Sequence, residues 1–229
     1  MKTEATEESY ARFRSFLDAE DKEECVRFAL SLLESSSLGI VELYEDVLAR
    51  AAREPNCTIR QRTLCVWEEH VRTSIIRTVL ECCFPYLMRE RRTLLGDRTR
   101  GPGIVVCPTE EYHELGARMA ADLFTLCGFD VTFVGANTPQ RDILEAVVLV
   151  HPVFVGVSVT GPYNLIAAGR AIRQLIAQRE ASGAAFRIVV GGRAFGDDAA
   201  LAVSLGADRL VDSYDDIRRF SEEMPSRSR

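Results

Sequence analysis

Glu111, His113 and Gly116 stand in the order E-x-H-x-x-G, directly after the apolar run Ile104 to Cys107. A histidine at a strand-to-helix turn offers one ring nitrogen outward to a metal. A carboxylate two residues earlier accepts the other ring N–H, which fixes the tautomer and strengthens the ligand. Gly116 lets a bulky group lie close to the backbone. Alone, His113 reads as an ordinary loop histidine. Ser158 and Thr160 follow at a third apolar run and Gly191-Gly192 after a fourth. Gly156 to Thr160 is one glycine short of G-x-S-x-G and no triad partner accompanies it, so a hydrolase elbow competes weakly.

Other chemistries drop out on residue type. The only lysines are Lys2 and Lys22, which excludes a P-loop or Schiff-base lysine anywhere in the later chain. Neither C-x-x-C nor H-x-x-x-H occurs, so a zinc site has no pair at ligand spacing. The seven cysteines are odd in number and most fall in apolar periodic segments, which points to reduced core thiols. With 28 Lys+Arg against 34 Asp+Glu the net charge is -6, so direct nucleic-acid binding is not expected. The N-terminus lacks a signal-peptide core, and no stretch approaches the ~18 apolar residues of a membrane helix. The expectation is a cytoplasmic protein without membrane contact.

Two textures divide the chain. Residues from about 8 to 92 read as helix. Cys25, Val26, Ala29, Leu30, Leu32 and Leu33 form one stripe, and Ile40, Leu43, Tyr44, Val47, Leu48 and Ala51 another, separated by Ser35 to Gly39. A third helix is expected to start at the T-x-x-Q box Thr58 to Gln61 and run through His70. A last one carries Ile75 to Cys83, with Pro85 as kink or terminus, and closes a four-helix bundle. From about 103 to 212, five apolar runs (Ile104 to Cys107, Val131 to Val134, Phe154 to Val159, Ile188 to Val190, Arg209 to Val211) alternate with helical patterns. Five such units predict an α/β domain with a flavodoxin-like (Rossmann-like) five-stranded parallel sheet, whose ligand crevice lies where the first and third strands diverge. The expected divisions are a helical cap over 1–95, a linker over 96–102 and the α/β domain over 103–229.

With these parts in place, the second half resembles the cobalamin-binding family, whose usual motifs are D-x-H-x-x-G, then S-x-L or S-x-T, then G-G. Val134 to Pro139 and Gly206 to Asp208 extend the likeness over nearly the whole C-terminal half. The helical half resembles the cap that precedes this module in corrinoid methyl carriers and in light-responsive, MerR-linked regulators, through Leu43 to Leu48 and the pair Glu69-His70. The resemblance implies cobalamin (adenosyl-, methyl- or hydroxocobalamin) bound base-off, with His113 as the lower ligand of the cobalt. The displaced dimethylbenzimidazole tail would enter beside Ser158, Thr160, Gly191 and Gly192. Val66, Glu69, His70 and Thr73, one helix face at i, i+3, i+4 and i+7, would turn to the cobalt's upper side.

Two departures shape the functional expectation. The acid is Glu111 where methyl carriers and isomerases have Asp, and the Glu form is commoner among the regulators. The Trp-His pair that light-responsive members carry ten residues before the E-H pair is absent, the residues there being Thr58 to Arg60, so their bis-histidine photochemistry does not transfer. The leading expectation is a corrinoid-binding regulatory or sensory protein that signals to a partner protein by cap rearrangement, since no helix-turn-helix module precedes the bundle in these residues. The rival is a corrinoid methyl carrier whose partner is a methyltransferase. A doubly wound domain holding a flavin, or nothing, stands third.

Overall fold

A computed structural model describes residues 4–54 and 65–228. Two compact units are present, Met1–Glu90 and Arg91–Arg229.

The first unit is helical. α1 (Glu4–Asp18) buries Thr6, Tyr10, Phe13 and Leu17, a spacing that keeps one face inward. α2 (Lys22–Glu34) is capped by the Asp21 carboxylate, which accepts the Glu24 N–H, and buries Cys25, Ala29 and Leu32. α3 is one continuous helix in three parts, Ile40–Glu42, a π-helical stretch Leu43–Ala49, and Arg50–Arg53. Its Leu43, Tyr44, Val47 and Leu48 are fully buried. α4 (Cys65–Leu95) spans 31 residues. Among the described residues the helices divide differently from the expectation: α1 is a helix of its own, and the described parts of the two last expected helices are one. The T-x-x-Q box over 58–61 lies outside the described residues. Pro85 does not end the helix; it lies exposed within α4. Polar bonds cross between helices, from Arg72 to Asp18 and from Arg14 to Glu54.

The second unit is doubly wound. β1 (Gly101–Pro108), β2 (Phe129–Thr138), β3 (Phe154–Ser158), β4 (Arg187–Gly191) and β5 (Arg209–Leu210) form one parallel sheet. Its order is β2-β1-β3-β4-β5, the flavodoxin-like order with the switch point between β1 and β3. α5 (Leu115–Leu126), α6 (Gln140–Val150), α7 (Leu165–Ser182), α8 (Ala199–Ser204) and α9 (Tyr214–Glu222) connect and cover it. Alternate residues serve opposite faces. Ile104, Val106, Val155, Val157, Ile188 and Val190 pack with Ile143, Val147, Ile172 and Leu175 of α6 and α7. On the other face Phe154 stacks on Phe124 at 4.4 Å and meets Phe129 edge-on at 4.9 Å, with Phe220 of α9 closing the cluster.

β2 is an edge strand, and its pairing with β1 shifts register twice: Val105 faces Phe133, Val106 faces Gly135 and Pro108 faces Thr138, which leaves Val134 as an extra residue. Ahead of β1, Arg91 is buried and donates to the Asp130 carboxylate at 2.9 Å, while Thr99 donates to the other Asp130 oxygen at 2.7 Å. A two-residue antiparallel pair joins Arg98–Thr99 to Arg227–Ser228. No helix among the described residues is long and apolar enough to cross a membrane.

Candidate functional site

The loop between β1 and α5 sits at the carboxyl edge of the sheet, beside the switch point. It folds back through a turn in which the Glu111 N–H donates to the Pro108 carbonyl, with Glu110 at φ +70°. Asn137, at the end of β2 and also left-handed, braces the turn from the side: its N–H donates to the Glu111 carbonyl at 2.8 Å and its side-chain oxygen accepts the Glu110 N–H at 2.9 Å.

The Glu111 side chain is fully buried, whereas that of His113 is 43% exposed. Glu111 Oε1 lies 2.7 Å from His113 Nδ1 and accepts the His113 backbone N–H at 2.9 Å. Glu111 Oε2 accepts from Thr160 N at 2.8 Å, Gly161 N at 3.0 Å and Asn164 Nδ2 at 3.1 Å. Burial pushes the Glu111 carboxyl upward, but donation from Asn164, Gly161, His113 and Thr160 outweighs it and holds the group at about 2. An ionised carboxylate at Nδ1 makes that nitrogen the donor and leaves Nε2 with its lone pair. Beneath the loop, burial and the carboxylates of Glu111 and Glu114 raise the Cys107 thiol to about 12, so it stays an inert thiol.

Among the described residues no three His, Cys, Asp or Glu side chains converge on a metal position, and the outward group of this loop is the His113 imidazole. A Cβ at Gly116 would meet nothing within 4 Å. Ser158 ends β3 opposite Gly191. Thr160 spends its N–H on Glu111, and among the described residues neither the Ser158 nor the Thr160 hydroxyl has a hydrogen-bond partner, so both remain able to serve a polar ligand. The glycine pair has a nearer reason than a threaded aromatic base. A Cβ on Gly191 or Gly192 would strike the Val211 or Val159 carbonyl, closer than the 3.0 Å that real Cβ atoms keep, and Gly192 has φ +99°. The chain's own backbone fills that space.

Val66, Glu69, His70 and Thr73 belong to the first unit, on the N-terminal part of α4. Val66 and His70 line an open groove of about 730 Å³ with Lys22, Trp67, Val71 and Ser74. Glu69 and Thr73 do not line it, and the Thr73 hydroxyl turns back to the Glu69 and His70 carbonyls of its own helix at 2.8 and 3.1 Å. Trp67 shares this groove and is 67% exposed.

Sequence reasoning missed Asn164, Gly161 and Asn137. Asn164 opens α7, where an asparagine is ordinarily read as a helix cap; it makes no side-chain cap bond and turns instead to Glu111 and the Glu110 carbonyl. Only its place six residues beyond Ser158 signalled it. Asn137 precedes Thr138-Pro139, and an Asn ahead of such a turn is the standard signal for left-handed backbone.

Residues 101–216, just over half of the chain, match the family described as B12 binding domain. The HTH-type transcriptional repressor CarH of Myxococcus xanthus is 28% identical over 123 residues; these are 54% of this chain and 38% of that protein, so the chain spans well under half of that relative's length. The solved monomethylamine corrinoid protein of Methanosarcina barkeri superposes with a TM-score of 0.78 over 95% of this chain and 98% of its own, at 12% identity, a likeness of fold. The chain belongs to the B12 binding domain family, and its cofactor is cobalamin.

Proposed function

We propose that this chain is a cobalamin-dependent regulatory protein that holds the vitamin base-off on His113 and reports its state to a partner protein. In this reading residues 1–95 act as a cap, 96–102 as a linker and 103–229 as the cofactor domain. When bound, cobalamin would supply a cobalt whose remaining ligand can be exchanged. The chain's own residues do the rest: Glu111 fixes the His113 tautomer so that Nε2 faces outward, and the Ser158 and Thr160 hydroxyls receive the polar groups of the nucleotide tail. On the cap, the family resemblance assigns Val66, Glu69, His70 and Thr73 to the upper-ligand side, and a change there would alter which surface the cap presents to the partner.

The observation that carries the reading is the His113 imidazole, half exposed, with Nδ1 at 2.7 Å from a buried ionised carboxylate. The partial match to a transcriptional repressor supports the regulatory branch over the methyl-carrier branch. Absorption spectra of protein mixed with hydroxo- and adenosylcobalamin test the ligand: wild type is expected to give a base-off, histidine-ligated spectrum that His113→Ala lacks. An unchanged spectrum in His113→Ala refutes the assignment. Pull-downs with and without cobalamin, dark and lit, test the regulatory role. A partner set unmoved by either variable, together with methyl uptake by the reduced, loaded protein from a methyltransferase, would establish the carrier instead.

A further inference from the structure

The helices on the two faces of the sheet present different outer surfaces. Among the described residues α5 and α9, over the phenylalanine cluster, expose no large apolar side chain, whereas on the opposite face α6 exposes Val148 and Leu149 and α7 exposes Ile166. Leu149 is 80% exposed. Ile143 and Val147 already supply the inward stripe of α6, and Val148 and Leu149 are not part of that core. Together with Leu144, and with Gln174, Ala177 and Gln178 of α7, they line an open groove of about 660 Å³. Two glutamines tie the helices on either side of it: Gln178 Nε2 donates to the Leu144 carbonyl at 3.1 Å, and Gln140 Nε2 to the Arg170 carbonyl at 3.1 Å.

Charge runs along α7. Ile166, Arg170, Arg173 and Ala177 recur at i, i+4, i+7 and i+11 and so share one face, which extends over about 16 Å at the rise of an α-helix. Arg170 and Arg173 are exposed and, among the described residues, neither side chain has an acidic partner. On α6, by contrast, Arg141 lies 3.4 Å from Glu145 of its own helix. We infer that this face of the second unit is the docking surface for an acidic amphipathic helix of the partner protein. That helix would be about three turns long, with apolar side chains at both ends, one set in the α6–α7 groove and the other on Ile166, and Asp or Glu between them opposite the two arginines. The inference rests on the reading of a partner-bound regulator and deepens it, by naming where the partner sits and what it presents. A second copy of the chain fits poorly, because a two-fold contact centred on this face sets Arg170 and Arg173 against their own counterparts. Nucleic acid fits no better, with two cations on a chain of net charge -6.

The test uses the full chain loaded with hydroxocobalamin and labelled with ¹⁵N. The probes are two stapled helical peptides with the same leucines at both ends, one with glutamates and one with lysines in the middle turn. The glutamate peptide should shift the amides of Val148, Leu149, Arg170 and Ala177 and bind about tenfold or more tightly than the lysine peptide. Arg170→Glu/Arg173→Glu should invert that preference, and Leu149→Glu should weaken both peptides. Both variants should keep the wild-type β1 amide resonances and cobalamin spectrum, since the altered side chains face solvent. Shifts elsewhere on the chain, equal affinity for the two peptides, or a preference that charge reversal leaves unmoved overturns the inference. So does sedimentation of the peptide-free chain as a dimer that Leu149→Glu dissociates, which gives the face to a second copy. Binding of phosphatidylglycerol vesicles at the same amides, with no response to the glutamate peptide, gives it to lipid and also overturns the inference. Cobalamin-dependent partners that both variants retain unchanged remove the docking surface and leave the regulator. Peptide results as expected, with no partner responding to cobalamin, remove the regulator and leave the surface.

Discussion

Replacing Glu111 with glutamine isolates the energetic weight of one buried carboxylate. The folded group sits at about 2 against an ordinary 4.5. At about 1.4 kcal/mol per tenfold, that difference corresponds to about 3 kcal/mol of folding free energy when the group is ionised in both states. Because the folded value is depressed, the contribution is fully present above about pH 5 and disappears as pH falls towards 2. Glutamine is neutral throughout and must turn its NH₂ towards at least two of the five N–H donors. Glu111→Gln should therefore cost about 3 kcal/mol near neutrality, and its stability curve should converge on that of wild type in acid, where both side chains are uncharged. The chain's other carboxylates titrate alike in the two proteins and cancel in the difference. Urea unfolding at successive pH values, followed through the β1 amides Val105 and Val106 so that the second unit alone is read, supplies the measurement. Two curves that run parallel from neutral to acid would refute the account, because the carboxylate would then contribute no more charged than neutral.

Three further outcomes follow from the packing. Phe154→Ala empties the centre of the Phe124, Phe129 and Phe220 cluster and should cost about 3–5 kcal/mol by chemical denaturation. Gly192→Ala, forced to keep φ +99° with a methyl against the Val159 carbonyl, should lower stability by about 1–3 kcal/mol or displace the loop that follows β4, seen as lost protection of the Ala194 amide. Pro85→Ala restores the donor missing beneath an exposed stretch of α4 and should stabilise the first unit by about 1–3 kcal/mol. Trp67 is the only tryptophan, and its fluorescence reports that unit.

The parallel sheet was legible because buried strands are continuous apolar runs and each helix between them has one apolar face. Both signals are local, and the strand order followed from the number of units. Strand ends were less legible: β1 and β2 reach back to Gly101 and Phe129, where ladder bonds rather than residue type set the limit. In the helical unit the apolar stripes were found but not their divisions, since nothing in Val71 to Ser74 shows whether a helix stops there, and Pro85 lies inside α4 rather than at its terminus. At the site, Glu111 and His113 were readable from their two-residue spacing. The partners on Oε2 were not: Asn164 lies 53 residues further on, and two of the other donors are backbone amides, which carry no residue signature.

The doubled register shift between β1 and β2 has a bearing on how this molecule keeps company with itself. β2 closes the sheet on one side with ten residues, and among the described residues no strand pairs with its outer row of amides and carbonyls. A flat ribbon of that length would be a template for another chain's edge. The surplus Val134 and the Gly135 turn at φ +103° break that ribbon into short, differently aimed pieces, so a second molecule approaching edge to edge finds only a few groups in phase. The same irregularity that delivers Asn137 to the Glu111 loop thus protects the sheet from adding strands.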